Sequence, residues 1–255
     1  MQRVEPILVF DLDGTVLRIN SFPVWVAFLA LGGPRGLSMG QQLKVTALAA
    51  RLVMLRKLGR INHTVLMRRT QELWQFATAG DGGAAAQLLA KLLSRTTRRN
   101  LDPAVKLVSE GVLDGVLATA AAEDYAVALG QRLGIQNVLA TRTGRAMDEP
   151  ENTGVHKRDR LQAWLDARGW SGRPLIFFND HLADLPLMRE CSIVCWVGSR
   201  RALKQAQREV TNVRFVDCRK MNAREVRATI AHLYQSASVA RMQDQATGSR
   251  ANTFA

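Results

Sequence analysis

The sequence predicts an α/β protein: a three-layer α/β/α core around a parallel sheet, with an all-helical domain inserted close to the N-terminal end. Two apolar runs, Ile7-Leu8-Val9-Phe10 and Leu175-Ile176-Phe177-Phe178, pass directly into acidic loops. Buried parallel strands behave this way, and an open sheet carries its chemistry at their carboxyl ends. From about Asn100 onward, strand-like and helix-like segments alternate, as βα units do. Between about Ser21 and Gly80 the alternation stops and only helical spacing remains. These boundaries divide the chain into core segments 1–20 and 99–235, an insert 21–98, and a tail from residue 236 that is small, polar and expected to be loose.

The first strand runs into Asp11-Leu12-Asp13-Gly14-Thr15. If the chain stayed extended, Asp11 and Asp13 would share one face, and Gly14 would let it bend away immediately afterwards. Two carboxylates this close raise each other's pKa unless a cation sits between them, so the pair asks for a hard, oxygen-seeking ion such as Mg²⁺.

The insert opens at Ser21-Phe22-Pro23, with Asn20 or Ser21 as cap, and continues through Val24-Trp25-Val26-Ala27-Phe28-Leu29 to a stop at Gly32-Gly33-Pro34. That run is too short to span a bilayer; its tryptophan beside basic residues gives some support to a lipid contact, and packed core is an equal reading. A second helix, 41–58, places Leu43, Ala47, Ala50, Met54 and Leu58 at helical spacing as its apolar face, with Lys44, Arg51 and Arg56 between them. A third, 63–77, carries Leu66, Leu73, Trp74 and Phe76, and a fourth ends near Arg95.

Charge is concentrated here. The formal net charge is +13, and the stretch from Gly14 to Gln71 has nine Lys and Arg residues and no Asp or Glu. Such an excess draws in an anionic partner: a phosphorylated metabolite, a phospholipid surface or nucleic acid.

Alternation then resumes. A short helix starts at Asp102-Pro103 and ends at Gly111; a strand over 112–118 runs into Thr119; and residues 120–133 read as the following helix. After a strand at 136–141, Lys157 stands at a helix start with Leu161 four residues on to pack inward. The second apolar run meets Asn179-Asp180-His181-Leu182-Ala183-Asp184, an acidic pair spaced by three. Strands at 192–197 and 213–216 and helices to Glu209 and over 223–234 complete the core.

Taken in order, the DxDGT loop, the strand ending in threonine, the helix-start lysine and the DxxxD loop resemble the haloacid dehalogenase-like (HAD) superfamily. The helical insert resembles the cap of its phosphoserine-phosphatase-like branch. The resemblance implies a Rossmann-like core in which Asp11 is the nucleophile forming an aspartyl-phosphate and Asp13 is the general acid/base. Thr119, the Ala120 N–H and Lys157 would then hold the phosphoryl group. Mg²⁺ would be held by Asp11, the Asp13 backbone carbonyl and Asp180, with Asp184 supporting the ion's water shell. Asn179 stands where the family often has glycine.

The expected activity is therefore hydrolysis of a phosphomonoester, an anionic small molecule or a lipid phosphate. Phosphoserine phosphatases carry a cap glutamate for the substrate ammonium; the matching position here is Asn20, and no acid in 14–71 replaces it. Phosphoserine-type activity stays as an alternative. Others are a basic anion-, membrane- or nucleic-acid-binding protein with vestigial catalysis, and phosphotransfer to an acceptor other than water. Five intact acidic and basic residues argue against loss of catalysis, and nucleic acid is the less favoured partner. Peripheral contact of the basic cap with an anionic membrane is a further expectation. Cys191, Cys195 and Cys218 are few and odd in number, read as buried thiols, and fit a reducing cytoplasm, as does the lack of a signal peptide. No Gly-rich phosphate loop, zinc-spaced cluster or Ser-His-Asp order competes with this reading.

Overall fold

β1 (Ile7–Phe10) has no polar side chain and no exposed one, so it belongs in the interior of a sheet covered on both faces. It lies between β2 (Gly115–Ala122) and β4 (Leu175–Asn179). β3 (Val138–Thr141) is outside β2; β5 (Ile193–Trp196) and then β6 (Arg214–Asp217) are outside β4. All neighbours are parallel. The chain steps outward from β1 to β3 on one side and then crosses to β4 on the other. The crevice between the carboxyl ends of β1 and β4 is therefore the switch point of the topology. The structure, a computed structural model, describes residues 5–34, 36–81, 83–144 and 149–232. The expected tail from residue 236 and the last residues of the helix read over 223–234 lie outside the described residues.

Alternate strand residues face opposite layers. Leu8, Phe10, Ile176 and Phe178 enter one apolar cluster, with the rings of Phe10 and Phe178 stacked at 5.0 Å. That cluster also takes Tyr125 and Leu129 from α6 (Glu123–Leu133). Ile7, Val9, Leu175 and Phe177 enter the other, against Leu161 and Leu165 of α7 (Gly154–Asp166), Leu187 of the short α8 (Leu185–Met188) and Leu203 of α9 (Arg200–Glu209). The result is the three-layer α/β/α arrangement around a parallel sheet that the sequence predicts. The three cysteines are buried with free thiols.

Among the described residues five α-helices stand between β1 and β2: α5 (Asp102–Ser109), which leads into β2, and before it the four of the insert, α1 (Ser21–Ala30), α2 (Met39–Lys57), α3 (His63–Thr78) and α4 (Ala84–Ser94). The chain enters and leaves the insert side by side. Leu17 and Thr97 form an antiparallel bridge, flanked by hydrogen bonds from Arg18 N to Thr96 O (3.0 Å) and from Arg98 N to Val16 O (2.8 Å). The apolar cluster runs without a break from these helices into the sheet. Trp25 of α1 meets Trp74 of α3 at 5.9 Å and Tyr125 of α6 at 5.2 Å.

One open alternative is decided and two readings of the sequence need correction. The tryptophan-bearing α1 is packed core, since Trp25 and Leu29 are wholly buried. The apolar stripe read on α2 faces outward: Leu43 is 66 % exposed, Met54 56 % and Leu58 63 %, while Val45 and Ala49 on the opposite face pack inward. α2 is apolar on two faces, and periodicity alone cannot say which one docks. Lastly, β2 continues to Ala122 and α6 begins at Glu123, so Thr119 and Ala120 lie on the strand and not at a helix N-terminus. The run of alanines after Thr119 suits a buried strand as readily as a helix, and pairing with β3 decides, with a register shift between Ala118 and Ala122.

Candidate active site

One polar loop from β1 and one from β4 meet in the switch-point crevice. Asp11 N donates to Phe178 O (3.0 Å), which fastens the end of β1 to β4. The chain then makes a wide turn, closed by Val16 N to Asp11 O (3.4 Å) and Leu17 N to Leu12 O (2.9 Å). Gly14 sits in this turn with φ +76°, and a Cβ there would fall 2.1 Å from Asp180 Oδ2. Only glycine lets the two acidic loops approach this closely.

Asp11 is buried and both of its oxygens are engaged. Oδ1 accepts from Lys157 Nζ at 2.8 Å and Oδ2 from Thr15 Oγ1 at 3.2 Å. Lys157, in the first turn of α7 and 2 % exposed, also donates to Asp184 Oδ2 at 2.7 Å. Thr15 Oγ1 lies 3.4 Å from Asp180 Oδ1. Asp11, Lys157, Asp180 and Asp184, read from three separate stretches of sequence, thus form one cluster.

Its electrostatics follow from burial. Desolvation alone would lower the Lys157 pKa, but the carboxylates of Asp11 and Asp184 hold it above its ordinary value, so the ammonium stays charged. Asp180 is pushed up to about 6 by burial and then by the Asp11 charge, against the pull of His181. Burial raises Asp184 too, with Lys157 opposing. Asp13 rises to about 6, chiefly by burial, although hydrogen bonds from Ser21 favour its charged form. Asp13 Oδ1 accepts from Ser21 N at 2.8 Å, and Ser21 Oγ shares a 2.6 Å hydrogen bond with Tyr125 Oη. Asp13 is therefore anchored to the first residue of α1 as well as to the core loop.

The remaining expected residues are placed differently. Thr119 is buried and its Oγ1 accepts from Ala121 N at 3.0 Å; Ala120 and Ala121, not Thr119, line the pocket. Asn179 is fully buried and donates to His181 O at 2.7 Å, so its side chain folds the loop that a glycine would otherwise form. Asn20 Oδ1 caps α1 by accepting from Phe22 N at 2.9 Å.

Three contributors escape the sequence pattern. Arg98, where the chain leaves the insert, donates from Nη2 to Gly14 O (2.8 Å) and from Nε to Thr15 O (3.1 Å), clasping the turn from behind. Asn152 is buried and donates to Thr119 O (3.0 Å) and Leu139 O (2.7 Å), tying the ends of β2 and β3 together. His63 of α3 reaches Glu151 of the core at 3.2 Å. Arg98 and Asn152 act on backbone carbonyls, which leave no residue pattern to read, and His63 depends on how the insert sits. The pocket between core and insert measures about 340 Å³, and Arg18 from the core segment and Phe22, His63 and Met67 from the insert line it.

The donor set fits a hard divalent cation. Asp184 Oδ1 is buried without a protein partner. Asp11 and Asp180 present facing oxygens on either side of Thr15 Oγ1, and all the donors are oxygens. Among the described residues no group of three His, Cys, Asp or Glu side chains has metal-holding geometry. A third protein ligand would therefore come from backbone, as the Asp13 carbonyl does in the expected set.

Comparison with known proteins identifies the family and the fold. The family of haloacid dehalogenase-like hydrolases matches residues 8–189. No curated protein matches the chain in sequence. Among solved structures, a protein of unknown function from Bordetella pertussis Tohama I is 18 % identical with a TM-score of 0.66, over 84 % of this chain and 98 % of that one. A probable phosphoserine phosphatase from Vibrio cholerae is 12 % identical with a TM-score of 0.57, over 92 % and 68 % of the two chains. Cytosolic 5'-nucleotidase IIIB bound to cytidine is 11 % identical with a TM-score of 0.55, over 92 % and 88 %. At these identities the likeness is one of fold.

Proposed function

The chain belongs to the haloacid dehalogenase-like hydrolase family, and from that premise we propose that it is a phosphomonoester hydrolase working through an aspartyl-phosphate on Asp11. The observation that carries the proposal is the buried Asp11–Lys157–Asp184 ion cluster at the switch point, with Asp180 beside it and Asp13 one residue beyond Asp11 in the same turn.

Lys157 orients Asp11 for attack on phosphorus by holding Oδ1. Asp13, raised to about 6, keeps a protonated fraction near neutrality far larger than an ordinary carboxyl would, and that form delivers its proton to the departing alcohol oxygen as the ester P–O bond breaks. The Asp13 carboxylate so formed takes a proton from water, whose oxygen attacks the phosphoryl group and frees Asp11. Arg98 keeps the turn rigid through the Gly14 and Thr15 carbonyls, so both aspartates stay in register. Ala120 and Ala121 line the phosphoryl side of the pocket, and Thr119 folds the backbone there. Mg²⁺, held by Asp11, Asp180 and the Asp13 carbonyl with Asp184 behind them, would supply positive charge to the phosphoryl oxygens.

The substrate is a phosphomonoester whose leaving group carries no cation. Arg18 and His63 line the pocket, residues 14–71 contain no acid, and Asn20 is occupied as a helix cap. Sugar, nucleotide and lipid phosphates meet this description better than phosphoserine.

The test is phosphate release from a panel of amino-acid, sugar, nucleotide and lipid phosphates, with Mg²⁺ and with chelator, for the native chain and Asp11→Asn. Metal-dependent turnover should fall by roughly 10³-fold or more in the variant. An Asp11→Asn protein as active as the native one would overturn the nucleophile assignment. Absence of turnover across the panel would overturn the phosphatase reading.

A further inference from the structure

The outer face of α2 is an apolar strip without a partner. Leu43, Ala47, Ala50, Met54 and Leu58 recur at intervals of three and four, so they line one side of the helix over roughly 22 Å. Exposed Met39 (77 %) and Leu31 (85 %) extend it into the α1–α2 turn. Buried Val45 and Ala49 satisfy the protein core from the opposite side, so folding gives no reason for the second apolar face. Solvated surface helices are polar there.

Charge accompanies the strip. On the helical wheel Lys44 and Arg51 stand on one flank and Lys57 on the other, and α2 contains no acid. Beyond the first flank, α2 and α3 enclose a groove of about 530 Å³ with Leu48, Leu52 and Leu55 along one wall and Phe76 on the other. Lys44 Nζ lies 5.3 Å above the Phe76 ring at its rim. The acid in this groove, Glu72, is bound by Arg68 and Arg69.

We propose that the outer face of α2, with the adjoining α2–α3 groove, docks on an anionic phospholipid bilayer, the apolar strip entering the interface and Lys44, Arg51 and Lys57 resting among the headgroups. A convex aliphatic ridge flanked by lysine and arginine is the surface that binds in the plane of such an interface. The other occupants fit less well. A second copy of this chain would bring like charges against one another. A nucleic acid would use the cations but find no aromatic platform on a ridge of leucine and methionine. The inference stands apart from the catalytic reading, because binding to lipid requires no turnover.

The experiment uses the full chain and sedimentable vesicles of phosphatidylcholine, alone or mixed with phosphatidylglycerol, over a range of salt. The expected result is binding to the mixed vesicles that weakens as salt rises, since each basic side chain near the surface multiplies affinity roughly fivefold. It should fall at least about tenfold in Leu43→Ser/Met54→Ser and in Lys44→Glu/Arg51→Glu, with unchanged melting curves. As a second readout, an environment-sensitive dye on Leu43→Cys should shift to the blue with mixed vesicles and stay unshifted with phosphatidylcholine alone. Failure to bind mixed vesicles at low salt overturns the proposal. So does binding that ignores the Leu43→Ser/Met54→Ser change. A dimer in solution that this pair of changes dissolves would assign the strip to a second copy instead, and duplex DNA bound with the same dependence on both variants would assign it to nucleic acid.

Discussion

β1 and α2 are both apolar along much of their length, yet they end in opposite surroundings. All four residues of β1 are buried, two toward each helical layer, whereas α2 buries Val45 and Ala49 and leaves Leu43, Met54 and Leu58 in solvent. A strand flanked by two others in a covered sheet has one environment available, and its sequence states it. A surface helix with apolar residues on two faces has two, and the choice is made by what packs against it. The candidate site divides along the same line. Asp11, Lys157, Asp180 and Asp184 gather where β1 and β4 end, and the insert lines the other side of the pocket with residues whose positions depend on docking.

Several substitutions can break or sharpen this contrast. The largest effect is expected at the β1 end. Lys157→Ala leaves the buried carboxylates of Asp11 and Asp184 facing each other with no cation between them, and removing one member of a buried ion cluster costs about 3–5 kcal/mol. Chemical denaturation without added metal would measure it; a loss below about 1 kcal/mol would mean that the cluster is far better solvated than its geometry indicates.

On α2 the two faces should answer differently to the same replacement. Val45→Ser removes a wholly buried side chain and leaves a hydroxyl in an apolar site, for a loss of about 2–3 kcal/mol. Leu43→Ser, two residues away and exposed, should stay within about 0.5 kcal/mol of the native chain. Equal losses would show that the exposed strip is covered in solution.

An effect smaller than the losses at Lys157 and Val45 concerns pH. Asp13 has a folded pKa of about 6 against an ordinary carboxylate value of 3.8, so its ionised form is the disfavoured one in the native state. That penalty is absent below 3.8, develops between 3.8 and 6, and is complete above 6. Asp13→Asn keeps an oxygen for Ser21 N and removes the charge. In metal-free buffer it should raise the melting temperature at pH 7–8, by an amount equivalent to about 1–2 kcal/mol, and leave it unchanged at pH 4. A gain at pH 4 as large as that at pH 8 would locate the effect elsewhere than in the carboxylate.

Asp11, Asp13, Lys157, Asp180 and Asp184 are legible in the sequence, because each is a charged residue tied to the end of an apolar strand or the start of a helix, and strand ends on one edge of a parallel sheet must converge. Thr119 is legible as the residue that follows the apolar part of β2, but its surroundings are not. The alanines after it fit helix or strand equally, and the β3 pairing extends the strand past it to Ala122. Arg98 and Asn152 leave no such mark, since what they hold is main chain.

The sequence by itself determined the parallel core, the position of the helical insert, and the acids and lysine that meet at the switch point, because these follow from local patterns whose buried setting admits one arrangement. Only the tertiary structure decided which face of α2 is exposed, that Trp25 is packed against Trp74 and Tyr125, and that Asp13 hangs from the first turn of α1. Each of these is a contact between segments far apart in the chain, set by shape and competition for burial that no local period encodes.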